Sequence, residues 1–140
     1  MKRRFLILIL VLVMTLVFVP AIASAANTAD FAGGSGTEKD PYLISSKTQL
    51  NNVRYYLNAH YKLTCDIEFT DADFAEGGAF YNGGAGWNPI GGVMPFIGTF
   101  DGNGFAVKSL YVNISNSSAD AYAGLFGLNN GTIKNLGVVD

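Results

Sequence analysis

Cysteine, histidine and charged side chains are scarce in this chain of 140 residues. Cys65 is the single cysteine, so no intrachain disulfide can form, and the thiol is expected to be a small core group. His60 is the single histidine, and no HExxH, GxSxG or phosphate-loop pattern occurs. The formal net charge of −2 gives no electrostatic footprint for nucleic acid. The sequence therefore predicts a protein that is not an enzyme, with no catalytic residue, no metal, no cofactor and no nucleic-acid partner.

Acidic residues form only one cluster in the sequence. Asp71, Asp73 and Glu76 could offer oxygen ligands to Ca²⁺, but their spacing completes no calcium-loop pattern. A solvated acidic turn is the preferred interpretation. Asp101 lies in a Gly-Asn-Gly turn that explains it, and it has no partner acid at hand for glycoside cleavage.

Residues 1–25 have the pattern of a secretory signal segment. Three basic residues precede an apolar run from Phe5 to Val19, Pro20 ends the run, and small residues occupy positions 23 to 25. Cleavage is expected before Ala26. An uncleaved anchor is the alternative, although the run is short for a span of about 20 residues. A secreted, extracellular or cell-surface protein with no membrane span after cleavage is predicted.

After a linker over residues 26–40, residues 41–140 are predicted to form one domain. Residues 46–59 look helical, because Ser46 and Gln49 fit a capping box and Leu50, Val53 and Leu57 share one face. Such a helix would cap the edge of the following strands. Residues 61–69 alternate cleanly between apolar and other side chains, which predicts one strand.

The last third of the chain contains one pattern twice, and the copies align without a gap when position 98 is placed on position 124. The paired positions are Gly98 with Gly124, Phe100 with Phe126, Asn103 with Asn129, Val107 with Ile133, Lys108 with Lys134, Leu110 with Leu136 and Val112 with Val138. A slip in the alternation predicts bends at Ser109 and Asn135. A period in the twenties is typical of stacked coils, so an all-β, right-handed parallel β-helix (a solenoid) is predicted, with two antiparallel hairpins as the alternative.

Residues 70–95 form a long glycine-rich segment, and loops of this length are often functional. Its aromatic residues Phe80, Tyr81 and Trp87 are the candidate ligand-binding residues. For Trp87 taken alone, an anchor that packs the loop onto the core is the preferred interpretation.

The end of the chain contains Gly124-Leu125-Phe126-Gly127 followed by Gly131-Thr132-Ile133-Lys134-Asn135-Leu136-Gly137-Val138. These motifs resemble the GLUG repeat of bacterial surface proteins, which also occurs near the N-terminal region of IgA-specific zinc metalloproteases. The preceding part of the chain resembles the same group of proteins through a series of motifs, which are Gly36-Thr37, Asp40-Pro41-Tyr42-Leu43-Ile44, the capped helix, Leu63-Thr64-Cys65-Asp66-Ile67, Trp87-Asn88-Pro89-Ile90-Gly91 and Phe96-Ile97-Gly98-Thr99-Phe100-Asp101-Gly102-Asn103-Gly104. The resemblance implies a right-handed parallel β-helix on an extracellular protein, usually with more repeats. The zinc motif of those proteases has no counterpart here.

The function expected from these features is a non-enzymatic, adhesin-like or structural module that binds a glycan or a host surface protein. A polysaccharide-binding or -degrading β-helix protein, or an accessory region of a surface metalloprotease, are the alternatives. Because the repeats stop at Asp140 directly after a strand, the solenoid is expected to be incomplete there. Further repeats or a docking partner would cover that open end.

Overall fold

The computed structural model describes residues 30–115 and 122–140, which form a β-rich fold with few helices. The strands are β1 (Tyr42–Ile44), β2 (His60–Leu63), β3 (Ile67–Glu68), β4 (Thr99–Asp101), β5 (Ala106–Lys108), β6 (Thr132–Lys134) and β7 (Gly137–Val139). The helices are α1 (Lys47–Asn52) and α2 (Asp71–Phe74), with 3₁₀ turns at Val53–Tyr55 and Asn82–Gly84. The predicted signal segment, residues 1–25, lies outside the described residues. Within residues 30–115 and 122–140, no helix is both long and apolar enough to cross a bilayer.

The strands of the described part of the chain form two sheets, and every strand pair within these sheets is parallel. One sheet has the order β1-β2-β4-β6, and the other has the order β3-β5-β7. From β2 onward, successive strands therefore alternate between the two sheets, and each strand pairs with the previous strand of its own sheet. This parallel pairing of successive segments was predicted, and it is confirmed.

The register differs from the predicted alignment. Phe100 pairs with Ile133 in the first sheet, and Val107 pairs with Val138 in the second. The separation in sequence between paired residues is therefore larger than the predicted alignment of position 98 with position 124 gives. The prediction of Phe126 opposite Phe100 is therefore wrong, although the two rings touch edge to face with centroids 5.4 Å apart.

Both predicted bends exist, but they lie at different corners of the chain. Ser109 has φ = 55° and follows β5, whereas Asn135 has φ = 53° and separates β6 from β7. A left-handed backbone is uncommon for a residue other than glycine, and it changes the direction of the chain sharply. The gapless alignment of the two copies therefore matched the corner after β5 with the corner between β6 and β7, which are not equivalent.

The predicted strand 61–69 is divided in two. Thr64, Cys65 and Asp66 form a corner between β2 and β3, which belong to different sheets. The inward side chains still alternate through the corner, because Leu63 and Ile67 are buried and Cys65 packs against the core. Alternation in the sequence marks the inward face and does not show where the strand turns.

Helix α1 is shorter than the predicted helix 46–59, because the chain tightens into a 3₁₀ turn at Val53–Tyr55. Ser46 is the N-cap as predicted, with its side chain accepting a hydrogen bond from the Gln49 amide at 3.3 Å. The Gln49 side chain reaches back to the Ser45 amide at 2.8 Å instead of to Ser46. Leu50 and Val53 are fully buried and Leu57 is half-buried, so the predicted apolar face packs on the core. Capping of a strand edge by this helix stays a prediction.

The outer edge of β1 is covered. Gly33 forms an antiparallel bridge with Leu43, and the Phe31 ring stacks on Tyr42 with centroids 4.4 Å apart. The core then continues inward from β1 as a column of buried side chains in register, Tyr42, Tyr61 and Phe100. A covered edge offers no template for pairing with other chains.

Candidate functional site

Two of the predicted ligand-binding aromatic residues, Phe80 and Trp87, pack against Phe69 in one aromatic cluster. The Trp87 ring is 1% exposed and contacts the rings of Phe69 and Phe80 at centroid distances of 5.6 and 5.7 Å. Its indole N–H donates to the Leu125 carbonyl at 3.1 Å. A buried ring with a satisfied donor cannot stack on a sugar, so the choice of Trp87 as a contact residue is corrected, and its interpretation as an anchor is the one the structure supports.

The outer face of Trp87 is also occupied. The Arg54 guanidinium carbon lies 5.2 Å from the ring centroid, and the same group donates to the Asn88 carbonyl at 2.7 Å. Burial lowers the pKa of Arg54 below its ordinary value, yet the group stays charged at any physiological pH. This cation–π contact fastens the segment to the 3₁₀ turn that follows α1.

Phe80 and Tyr81 are half-buried. The Phe80 ring packs edge to face on Phe69, with the ring centroids 5.3 Å apart, so it contacts the buried core. Tyr81 lies at the start of the 3₁₀ turn Asn82–Gly84 and retains an accessible ring. Ligand binding by Phe80 and Tyr81 stays a prediction, and Tyr81 is the better placed of the two.

The acidic cluster has a structural explanation. Thr70 and Asp73 form the capping box of α2, and Asp73 also pairs with Lys47 at 2.6 Å. Burial opposes ionisation of Asp73, but the bonds from Lys47 and Thr70 prevail and lower its pKa below 3.8. Within residues 30–115 and 122–140, no three His, Cys, Asp or Glu side chains are grouped so that they could hold a metal ion.

The edge formed by β6 and β7 is open, in contrast to the edge at β1. Val107 is fully buried, whereas its register partner Val138 is 53% exposed. In the other sheet, Phe100 is fully buried and its partner Ile133 is only half-buried. Within the described ranges, no strand pairs with the outer edge of β6 or β7, so the inward-facing side chains there stay accessible.

A polar groove of about 430 Å³ crosses the outer face of the four-stranded sheet. Its lining residues are Glu38, Lys39, Pro41, His60, Tyr61, Lys62, Thr99, Asp101, Thr132 and Lys134. The register places the side chains of His60, Thr99 and Thr132 in one column, and those of Lys62, Asp101 and Lys134 in a second. Sequence reasoning missed this groove because its residues become neighbours only once the register is known.

Asp101 is held firmly within the groove. Its carboxylate accepts hydrogen bonds from the Asn135 side chain at 3.0 Å and from the Asn103 amide at 2.8 Å, and it lies 3.6 Å from the Lys134 ammonium. These bonds, led by that from Asn135, lower the pKa of Asp101 below 3.8. The side chain is therefore an ionised, pre-oriented acceptor at neutral pH.

No family model matches the chain. It is 38% identical over 117 residues to a Gly-rich membrane protein, so named, of Evansella cellulosilytica, and 33% identical over 108 residues to halomucin of Haloquadratum walsbyi. These matches cover 79% and 74% of the chain but only 12% and 1% of those much longer proteins. Among solved structures, a protein named as an immunoglobulin A1 protease from Bacteroides ovatus is similar, with a TM-score of 0.55 and 28% identity, over 79% of this chain and 30% of that one.

Proposed function

We propose that the chain is a non-enzymatic secreted or cell-surface module that forms the N-terminal cap and first coils of a right-handed parallel β-helix. Each coil would contribute one strand to each sheet, and the helix α1 with the β1 edge would form the cap. Parallel strands joined by right-handed crossovers are the rule in folded proteins, which supports the handedness.

The observation that carries this proposal is the difference between the two ends of the sheets. The β1 edge is covered by Phe31 and Gly33, whereas the β6 and β7 edge leaves Val138 exposed at an inward position. Repeat proteins bury such side chains by stacking the next repeat on them. The occupant of this edge is therefore proposed to be a further coil of the same kind.

The GLUG resemblance supports the same proposal. Gly124–Gly127 contributes the bridge between Phe126 and Ile90, and Gly131–Val138 contributes β6 and most of β7. The motif would thus supply part of one coil, with Gly131 at a close backbone approach. A Cβ on Gly131 would lie 2.3 Å from the Gly98 carbonyl oxygen of the previous coil.

Appending a second copy of residues 110–140 directly after Asp140, which follows β7 as Ser109 follows β5, is expected to raise the midpoint of thermal unfolding. The added strands would cover Val138 and Ile133, and each kcal/mol gained corresponds to roughly 4–8 °C in a domain of this size. Calorimetry measures the shift. A copy with the same residues in scrambled order is the control, and equal midpoints for the two extended chains would contradict a solenoid that is open at β6 and β7.

Surface location is supported by the names of the relatives, one a membrane protein and one a halomucin. When the full chain is produced in a bacterial host, we expect the protein in the medium or on the cell surface, where membrane-impermeant biotin reagents label its lysines. Labelling only after the cells are lysed would contradict the location.

A role as the accessory region of a surface protease is a second candidate. It is favoured by the similarity to part of the Bacteroides ovatus protein, of which this chain spans 30%. In that case the module would position a separate catalytic domain and take no part in the chemistry.

A further inference from the structure

The polar groove is a regular array of hydrogen-bonding side chains. Adjacent parallel strands lie about 4.8 Å apart, so His60, Thr99 and Thr132 recur at that interval along the groove. Lys62, Asp101 and Lys134 recur beside them, about 6.6 Å away along the strands. The interval between strands is close to the advance of one sugar residue in an extended glycan chain.

The charges in the groove are partly uncompensated. Lys134 pairs with Asp101 at 3.6 Å, whereas Lys39 and Lys62 make no ion pair among residues 30–115 and 122–140. Among the lining residues, these two ammonium groups are opposed by the carboxylate of Glu38 alone, since Asp101 is already paired. The groove therefore carries a positive excess on a chain whose formal net charge is −2.

We propose that this groove binds a linear acidic polysaccharide that runs across the strands. Lys62 and Lys39 would pair with the carboxylates of uronate units, while Thr99, Thr132 and the fixed Asp101 would bond to hydroxyl groups. The groove lies on strands β2, β4 and β6 as they stand, so the proposal does not depend on any further coil.

An acidic peptide fits the groove less well. The floor of the groove is a sheet face, where the backbone N–H and C=O groups of β2 and β4 are engaged in the ladders on either side. An extended peptide gains much of its affinity from main-chain hydrogen bonds at a sheet edge, which this face does not offer. A polysaccharide needs no main-chain ladder, because its hydroxyl and carboxylate groups can bond to the side chains on this face.

Isothermal titration calorimetry with a β-1,4-linked mannuronate hexamer tests the proposal. We expect binding to the processed chain (residues 26–140) that weakens with added salt, and about tenfold weaker binding for Lys62→Gln, because a hydrogen bond to a charged group is lost. The double variant Thr99→Val, Thr132→Val is expected to weaken binding by a similar factor. Unchanged thermal midpoints would show that the variants remain folded.

Lys108→Gln is the matched control, because it removes the same charge from the other sheet, where Lys108 pairs with Asp66 at 2.6 Å. It should leave the affinity within about twofold of the original chain. Four results would overturn the proposal: no binding of the hexamer, equally tight binding of the neutral β-1,4-mannohexaose, an equal loss with Lys108→Gln, or tighter binding of a glutamate hexapeptide.

Discussion

Replacing Phe100 with alanine is expected to lower the free energy of unfolding by about 3–5 kcal/mol. The side chain is fully buried and stands in register between Tyr61 and Ile133. Its ring contacts Tyr61 and Phe126 at centroid distances of 6.2 and 5.4 Å, so truncation opens a cavity between successive strands. Urea denaturation followed by circular dichroism measures the change.

Ile97→Ala provides the control for this variant. Ile97 precedes the same strand but is 56% exposed, and its removal should cost less than about 0.5 kcal/mol. The total stability of a domain of this size is about 5–15 kcal/mol, so Phe100→Ala could leave the chain unfolded. Phe100→Leu is therefore included as a milder variant, with an expected loss of stability below about 1.5 kcal/mol. Losses of similar size for Phe100→Ala and Ile97→Ala would contradict the buried column.

The second large effect is expected at Gly98, where alanine should destabilise the fold by about 3 kcal/mol. A Cβ at this position would lie 1.9 Å from the carbonyl oxygen of Ala59 on the preceding segment. The obstacle is backbone, and the Gly98 amide is itself bonded to the Leu57 carbonyl at 3.0 Å, so neither segment can move without losing hydrogen bonds. The thermal midpoint should therefore fall by about 10 °C or more.

Gly92→Ala is the matched control for Gly98→Ala. Gly92 has no left-handed φ, and the nearest atom to a Cβ there is the Pro89 carbonyl oxygen at 3.8 Å. Alanine reduces the freedom of the unfolded chain, so this variant is expected to be neutral or more stable by up to about 1 kcal/mol. Equal unfolding temperatures for Gly98→Ala and Gly92→Ala would contradict a close backbone approach between Gly98 and Ala59.

The elements that depend on local pattern could be predicted from the sequence. Ser46 caps a helix because its hydroxyl satisfies a backbone amide, and Ser109 and Asn135 mark corners because the alternation slips there. These features need only a few neighbouring residues. The parallel pairing also followed, since repeated segments of this length leave each strand beside its predecessor.

The register could not be predicted, because successive corners of the chain carry similar local chemistry. Around both Ser109 and Asn135, a strand with an apolar central residue comes before the left-handed residue and a leucine comes directly after it. The two segments therefore align without a gap, although Ser109 and Asn135 are not equivalent positions in the fold. The step from position 100 to 133 in one sheet differs from the step from 107 to 138 in the other, so no fixed period exists to be found.

The candidate site depended on the register as well. Trp87 was a candidate contact residue because it lies in a long glycine-rich segment, but its ring is buried in contact with Phe69 and Arg54, which agrees with its interpretation as an anchor. Conversely, Thr99 and Thr132 attract no notice in the sequence and become neighbours only through pairing of β4 with β6. Polar side chains on the outer face carry no hydrophobic signal, so their alignment appears only in the folded chain.

The parallel register itself is tested most directly by couplings across backbone hydrogen bonds in the nuclear magnetic resonance spectrum of residues 26–140. We expect a coupling from the Thr132 amide nitrogen to the Gly98 carbonyl, and one from the Gly102 amide nitrogen to the Lys134 carbonyl, since these bonds measure 2.9 Å each. Only parallel pairing of Phe100 with Ile133 gives both. A folded chain in which the Gly98 and Gly102 groups couple instead to residues 124–128, or in an antiparallel pattern, would contradict the stacked parallel strands.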